Sequence, residues 1–218
     1  MLINIAIDGP SASGKSTVAK QLCKKLNYKH LDTGAMYRCV ALKCDRENIN
    51  INKDRQLKRM FKKIKIQLTE DGKVFLDGED VSKEIRTDKI SMLASDVSTK
   101  QIVRENLVAL QQQIAADKGY VMDGRDIGTV VLKDAEVKIY LTASVEERAR
   151  RRYEENISRG MEADMEQLKQ EIIDRDYQDM HREFSPLTQA EDAVVIDSSD
   201  MTIEEVVDRI MELVDKVK

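Results

Sequence analysis

Cysteine and histidine are scarce in this chain. The three cysteines, Cys23, Cys39 and Cys44, are odd in number and contain no C-x-x-C pair. That argues against a disulfide framework or a zinc site and for free thiols in a reducing cytosol. The two histidines, His30 and His181, lie far apart and cannot hold a metal without other ligands. No apolar run approaches the roughly 20 residues that span a membrane. Met1 to Ile7 is too short, and lacks the basic lead, for a signal peptide. An excess of positive charge is missing too: 36 Lys and Arg face 40 Asp and Glu, for a net charge of −4. Nothing globally basic therefore points to a nucleic-acid polymer as partner. Internal repeats, low-complexity tracts and interdomain linkers are absent as well. What the chain does have is charge of both signs, 35% of its residues, more than the usual quarter, so much of it reads as solvated helix face. Its 218 residues suit one domain with a small insertion.

Leu2 to Ile7 is a short run rich in β-branched residues and reads as a buried strand, ended by Asp8 and Gly9. Lys15 to Leu26 follows as a helix, with Val18, Ala19, Leu22 and Leu26 at helical spacing. A second helix is expected over Ala35 to Arg46. The middle changes character: Ile64, Ile66 and Leu68 alternate with polar residues, and Asp71-Gly72 and Asp77-Gly78 flank Val74 to Leu76. This predicts a small antiparallel insertion. A helical stretch from Ile102 to Lys118 leads to a strand at Tyr120 to Met122. Val137 to Leu141 is another buried strand. Charged helices are expected at Val145 to Ser158 and Asp164 to Arg182, the second stopped by Pro186. Ala193 to Ile196 is a last strand and Ile203 to Val217 a closing amphipathic helix. Strands alternating with helices imply a mostly parallel sheet covered on both faces.

Gly9, Pro10, Ser11, Ala12, Ser13, Gly14, Lys15 and Ser16, followed by Thr17, match the phosphate-loop pattern G-x-x-x-x-G-K-[ST]. The glycines let the backbone aim N–H groups at phosphate oxygens, and the helix that follows adds its positive dipole end. Lys15 is placed to reach the β- and γ-phosphates of ATP, and Ser16 to put its hydroxyl on Mg²⁺. The match sits between a predicted strand and a predicted helix, which is the context the motif requires. Asp123 ends an apolar strand and is the candidate to hold the Mg²⁺ shell opposite the loop. A plain strand-end Asp that starts a turn with Gly124 is the bland alternative. A GTPase would carry an Asn-Lys-x-Asp guanine-reading motif, and none occurs. Arginine recurs instead. Arg175 and Arg182, seven apart on a predicted helix, share a face with Asp179 between them. Arg148, Arg152 and Arg159 share another. Arginine grips phosphate bidentately, so this Arg-rich helical hairpin reads as a lid over a triphosphate, although a solvated face is the simpler reading for any one arginine.

Asp8-Gly9-Pro10-Ser11, Leu31-Asp32-Thr33-Gly34-Ala35-Met36-Tyr37-Arg38, Gly78-Glu79-Asp80-Val81 with Ile85-Arg86-Thr87, and Asp123-Gly124-Arg125-Asp126-Ile127-Gly128-Thr129 together resemble bacterial cytidylate kinases. Arg175-Asp176, Asp179, Arg182 and Pro186-Leu187 fit as well, so the resemblance covers essentially the whole chain in order. It implies an α/β P-loop fold with a parallel sheet flanked by helices, a small antiparallel insertion and a short helical lid. The implied layout is a single domain with a core at about 1–32, 100–147 and 183–218, a monophosphate-binding region at about 33–99 and a lid at about 148–165. The implied reaction moves the γ-phosphoryl of ATP to CMP or dCMP, giving ADP and CDP or dCDP, in the pyrimidine nucleotide metabolism of the cytoplasm. A monomer is implied too.

Carried over position by position, Ser95, Arg104 and Asp126 match the cytosine-reading residues. Arg38, Arg125 and Arg182 match phosphate and ribose-phosphate contacts, with Arg125, Arg182 and Lys15 as the catalytic set. Arg175 and Asp179 match contacts to the sugar, and Asp32, Thr33 and Tyr37 fall beside the acceptor. ATP is expected on Gly9 to Thr17 and on Arg148, Arg152 and Arg159. The chemistry is consistent with this. A carboxylate at Asp126 accepts from the cytosine N4 amino group and repels the O4 of uracil. A nucleoside monophosphate is largely a dianion at neutral pH and needs no general base, which agrees with the absence of an evident Ser-His-Asp or Cys-His constellation. Another P-loop small-molecule kinase, or a nucleotide sensor without turnover, would share the loop but not Ser95, Arg104 and Asp126.

Overall fold

The β-branched run near the N-terminus forms the middle of the main sheet. A computed structural model describes residues 1–69, 71–158 and 160–218. The chain runs β1 (Ile5–Asp8), α1 (Lys15–Leu26), β2 (Lys29–Asp32), α2 (Thr33–Arg46), α3 (Asp54–Phe61), β3 (Ile66–Leu68), β4 (Val74–Leu76), β5 (Glu79–Asp80), α4 (Asp88–Ser98) and α5 (Gln101–Ile114). It continues through β6 (Tyr120–Gly124), a π-helical turn (Ile127–Val131), β7 (Val137–Thr142), α6 (Val145–Ser158), α7 (Met165–His181), β8 (Val194–Asp197) and α8 (Ile203–Val217). The main sheet has the order β2-β6-β1-β7-β8, and every pairing in it is parallel. β3, β4 and β5 form a separate antiparallel sheet, the expected insertion.

Successive side chains of β1 serve two cores, as the period of a strand requires. Ile3, Ile5 and Ile7 pack with Val18 and Leu22 of α1 and with Val207 and Ile210 of α8. Ala6 faces the opposite core, with Met36, Leu107 and Met122. Because both faces are covered, β1 carries no polar alternation. α8 is started by a capping box in which Thr202 and Glu205 satisfy each other's backbone amides.

Several boundaries differ from the expectation, three of them notably. The helix expected to Lys118 stops at Ile114, and Lys118 and Gly119 take φ of 59° and 80° to turn the chain into β6. The first strand starts at Ile5 rather than Leu2. Arg182 is not on the helix with Arg175: it caps α7 in an extended conformation at φ −65°, ψ 145°.

Where β1 ends, the loop passes directly over β7. Gly9 has φ +148°, and a Cβ there would lie 2.0 Å from the carbonyl oxygen of Leu141. Backbone cannot yield as a side-chain tip can. Gly9→Ala is therefore expected to destabilise the fold by about 2–4 kcal/mol, from strain plus overpacking. A urea-unfolding midpoint equal to that of the wild type would refute this close approach.

Candidate active site

The parallel strands deliver the loop and the ends of β2 and β6 to one rim, the usual place for a ligand in such a sheet. A cavity of about 1210 Å³ opens there, lined on one side by Ser11 to Thr17 and on the other by arginines from α2, α5 and α7. Gly9 and Pro10 form the turn beneath and do not reach the cavity wall. The Pro10 carbonyl instead accepts from Lys15 Nζ at 2.5 Å, and Ser13 Oγ takes a second hydrogen bond from it at 3.1 Å. Burial, and then the neighbouring Arg125 charge, pull the Lys15 pKa well below its ordinary value. This ammonium gains more from an incoming phosphate than an exposed one would.

Asp123 stands at the end of β6, opposite the loop. Ser16 Oγ donates to its Oδ2 at 2.6 Å, and His30 Nε2 lies 2.7 Å from its Oδ1. Burial alone would raise its pKa. The hydrogen bonds from His30 and Ser16, with the Lys15 charge, hold it below the ordinary carboxylate value. A hydroxyl and an ionised carboxylate are hard oxygen donors, the set that suits Mg²⁺ when phosphates complete the shell. Among the described residues no group of three or more His, Cys, Asp or Glu could hold a metal by itself.

Across the cavity the cations outnumber their partners. Asp179 Oδ2 accepts from Arg125 Nε at 2.7 Å, and its Oδ1 lies 3.5 Å from Arg182. Asp32, which caps α2, accepts from Arg38 at 3.0 Å. Arg104 pairs with Asp126, both buried, and its guanidinium lies 5.5 Å from the centroid of the Tyr37 ring. Ser95 Oγ donates to Gln178 at 2.9 Å. Thr33 lines the cavity, and its Oγ1 donates to the Asp123 carbonyl and so braces the strand end. Several buried donors lack a partner among the described residues: Arg38 Nε, Arg175 Nε, Arg182 Nη2 and Tyr37 OH. Burial and then the Arg125 charge push the Arg175 guanidinium down to about 10. Orphaned donors of one sign around an open volume are what an anionic ligand would satisfy.

A family model described as cytidylate kinase matches residues 5–216. The chain belongs to the cytidylate kinase family. It is 53% identical to a cytidylate kinase of Caldicellulosiruptor saccharolyticus, covering 99% of this chain and 96% of that one. It is 50% identical to those of Ligilactobacillus salivarius and Bacillus cereus, covering 98% and 99% of this chain and 97% of each of theirs. Among solved structures, a shikimate kinase from Acinetobacter baumannii shares the fold with a TM-score of 0.51 at 17% identity, covering 100% of this chain and 96% of that one. A gluconokinase from Sinorhizobium meliloti does so with 0.50 at 16%, covering 98% and 93%. P-loop kinases thus share the α/β architecture, and the cytidylate kinase family is shown by sequence.

Of the arginines expected over ATP, Arg152 lines the cavity, while Arg159 lies outside the described residues. Arg148 does not line the cavity. It is buried beneath the loop, where Nη1 donates to the Ser11 carbonyl at 3.2 Å and to Asp176 Oδ2 at 2.5 Å, and Nε donates to the Ala143 carbonyl at 2.9 Å. It faces inward because it lies in the first turn of α6, directly over the end of β7. Arg150 and Arg151, two and three residues further along α6, line the cavity instead. Arg151 also ties the Ser198 carbonyl at 2.6 Å. Asp176 was legible only as part of the family pattern. Its other oxygen accepts from the Ser11 amide at 3.3 Å, so α7 carries the loop through one carboxylate. Asp176→Ala leaves Arg148 buried and unpaired, and is expected to cost about 3–5 kcal/mol of stability. A loss under about 1 kcal/mol in urea denaturation would show that this pair does not support the loop.

Proposed function

We propose that the protein transfers the γ-phosphoryl group of ATP to CMP or dCMP, giving ADP and CDP or dCDP, with Mg²⁺ as the accompanying cation. The observation that carries this reading is the buried Arg104–Asp126 pair beside the arginines that face the phosphate loop. The pair, itself buried, offers one acceptor and several donors at the wall of the cavity. Cytosine presents the complement, an N4 donor beside N3 and O2 acceptors. On this reading Ser95, Arg104 and Asp126 read the base. Arg38, Arg125 and Arg182 take the acceptor phosphate, and Arg175 and Asp179 take the sugar. Tyr37 and the end of β2 wall the acceptor side.

Ser16 and Asp123 would hold Mg²⁺, which when bound neutralises charge shared by the β- and γ-phosphates. Lys15 exchanges its contacts to Pro10 and Ser13 for phosphate oxygens. Arg125 and Arg182, held by Asp179, meet the acceptor phosphate, whose dianion attacks without a general base. Catalysis is then alignment and charge neutralisation. Residues 33–99 would form the monophosphate-binding region and residues 148–165 the lid. We take the working form to be a cytoplasmic monomer. Three buried free thiols agree with a reducing compartment, and among the described residues no helix is long and apolar enough to cross a membrane.

Lys15→Ala should lower turnover by about 10²-fold or more, the scale for losing one preorganised charge donor. Near-normal ADP production from a folded variant would remove the central claim.

The base reading has its own test. Asn at position 126 would offer an amino group to the O4 of uracil while its carbonyl could still accept from cytosine. Asp126→Asn should weaken CMP use and narrow the CMP-over-UMP preference by roughly ten- to a hundredfold in kcat/KM. If Asp126 serves only to neutralise Arg104, both acceptors suffer alike and the ratio holds. Steady-state kcat/KM for CMP and UMP at saturating MgATP distinguishes the two.

A further inference from the structure

His30 is far from any other histidine and belongs to no motif. It stands on β2, the edge strand of the main sheet, two residues before Asp32, and its side chain is 16% exposed. β2 pairs with β6 in a register that sets His30 beside Val121 and Asp32 beside Asp123. Because side chains alternate along a strand, His30 lies on the same face as Asp123, one diagonal step away, within reach of a long side chain. Its Nε2 closes that step at 2.7 Å from Asp123 Oδ1. An ionised carboxylate only accepts, so the proton of this hydrogen bond sits on Nε2. The other oxygen of Asp123 is held by Ser16 at 2.6 Å.

We infer that His30 is a positioning residue for the divalent cation: by fixing Asp123 Oδ1 it keeps Oδ2 turned toward Ser16 and the loop. The inference rests on the proposed role of Ser16 and Asp123 as the residues that hold the cation. A carboxylate with one oxygen pinned has lost its rotational freedom before the cation arrives. Its other oxygen then points at a single place, beside the hydroxyl of Ser16 and facing the loop. Without the imidazole at Oδ1, Asp123 can turn about its side-chain bonds. That turn would take the carboxylate away from the cation. Partners that orient a metal-binding group typically change metal affinity by 10–100-fold.

The test is the metal-dependent gain in nucleotide affinity, measured by calorimetry. The Kd of β,γ-imido ATP is taken in excess EDTA and again in excess Mg²⁺, and their ratio is compared among variants. His30→Leu should reduce that ratio about tenfold or more and leave the EDTA value unchanged. His30→Gln, whose terminal amide can donate from near the position of Nε2, should retain most of it. Asp123→Asn should abolish it. A His30→Leu protein that keeps the wild-type ratio, while Asp123→Asn loses it, overturns the role of His30 alone. Equal weakening with and without Mg²⁺ would overturn it too, by showing a purely structural effect. If Asp123→Asn keeps the ratio, the assignment of the cation to Asp123 is wrong and the inference falls with it.

Discussion

The structure is organised around the cost of burying cations. Lys15, Arg104, Arg148 and Arg182 are each at most 8% exposed, and all lie at or beneath one rim of the sheet. An unpaired buried charge costs several kcal/mol, so the fold must bring carboxylates to the same place. It does so from four elements: Asp8 at the end of β1, Asp123 at the end of β6, Asp126 just beyond it, and Asp176 and Asp179 on α7. The match is incomplete on the cavity side. Arg125 and Arg182 divide one Asp179, and Arg175 Nε has no partner among the described residues. Beneath the loop the match is close, with Arg148 given Asp176 and two carbonyls. The difference separates the charges that hold the fold from those left available for an anion.

That separation explains why a row of arginines on a helix was hard to apportion from sequence. Arg148, Arg150, Arg151 and Arg152 are consecutive or nearly so, and each looks equally suited to phosphate. Helical geometry sends them in different directions. Arg148 goes under the loop, Arg151 onto Ser198 and Ser13, Arg150 to Glu147 and Glu154, and Arg152 into the cavity, 4.0 Å from Glu171. A shared face between Arg148 and Arg152 was a sound inference from spacing. What spacing could not supply was the start of the helix relative to β7, which puts the first turn inside the fold and the second at its surface.

The parallel core, the phosphate loop, the insertion and the closing helix were all legible, because each has a local signal: β-branched runs, glycine spacing, Asp-Gly turns and helical periodicity. β2 was not. Lys29-His30-Leu31-Asp32 has one buried apolar residue, as an edge strand allows, and too little pattern to register. α3 and α4 were passed over, and the π-helical turn after Asp126 has no sequence signature of its own. The candidate site residues were suggested by the family pattern rather than by spacing. Asp123 followed from the loop, but its partner His30 depends on strand register between segments about 90 residues apart, which no local window contains.

The π-helical turn also shows how the two halves of the site are held in relation to each other. Its first amides, of Ile127 and Gly128, donate to the two carboxylate oxygens of Asp8 at 2.7 Å each. Asp8 is the last residue of β1, and Gly9 begins the phosphate loop. A single four-residue strand therefore anchors both the loop and the turn that presents Asp126, one through the chain and the other through a bidentate pair of hydrogen bonds. Burial pushes the Asp8 carboxyl up from 3.8 to about 6, although both amides oppose the shift. Its contribution to stability is thus full below about pH 3.8 and declines as pH rises through about 6. A carboxylate kept ionised at neutral pH against its own burial is a costly way to fix a turn. It makes sense where the distance between the two anchored parts matters more than the energy spent holding it. On the proposed reading that distance is the one between the donor phosphates and the acceptor base, set in the rigid sheet, while Arg38 and Arg175 approach from helices outside it.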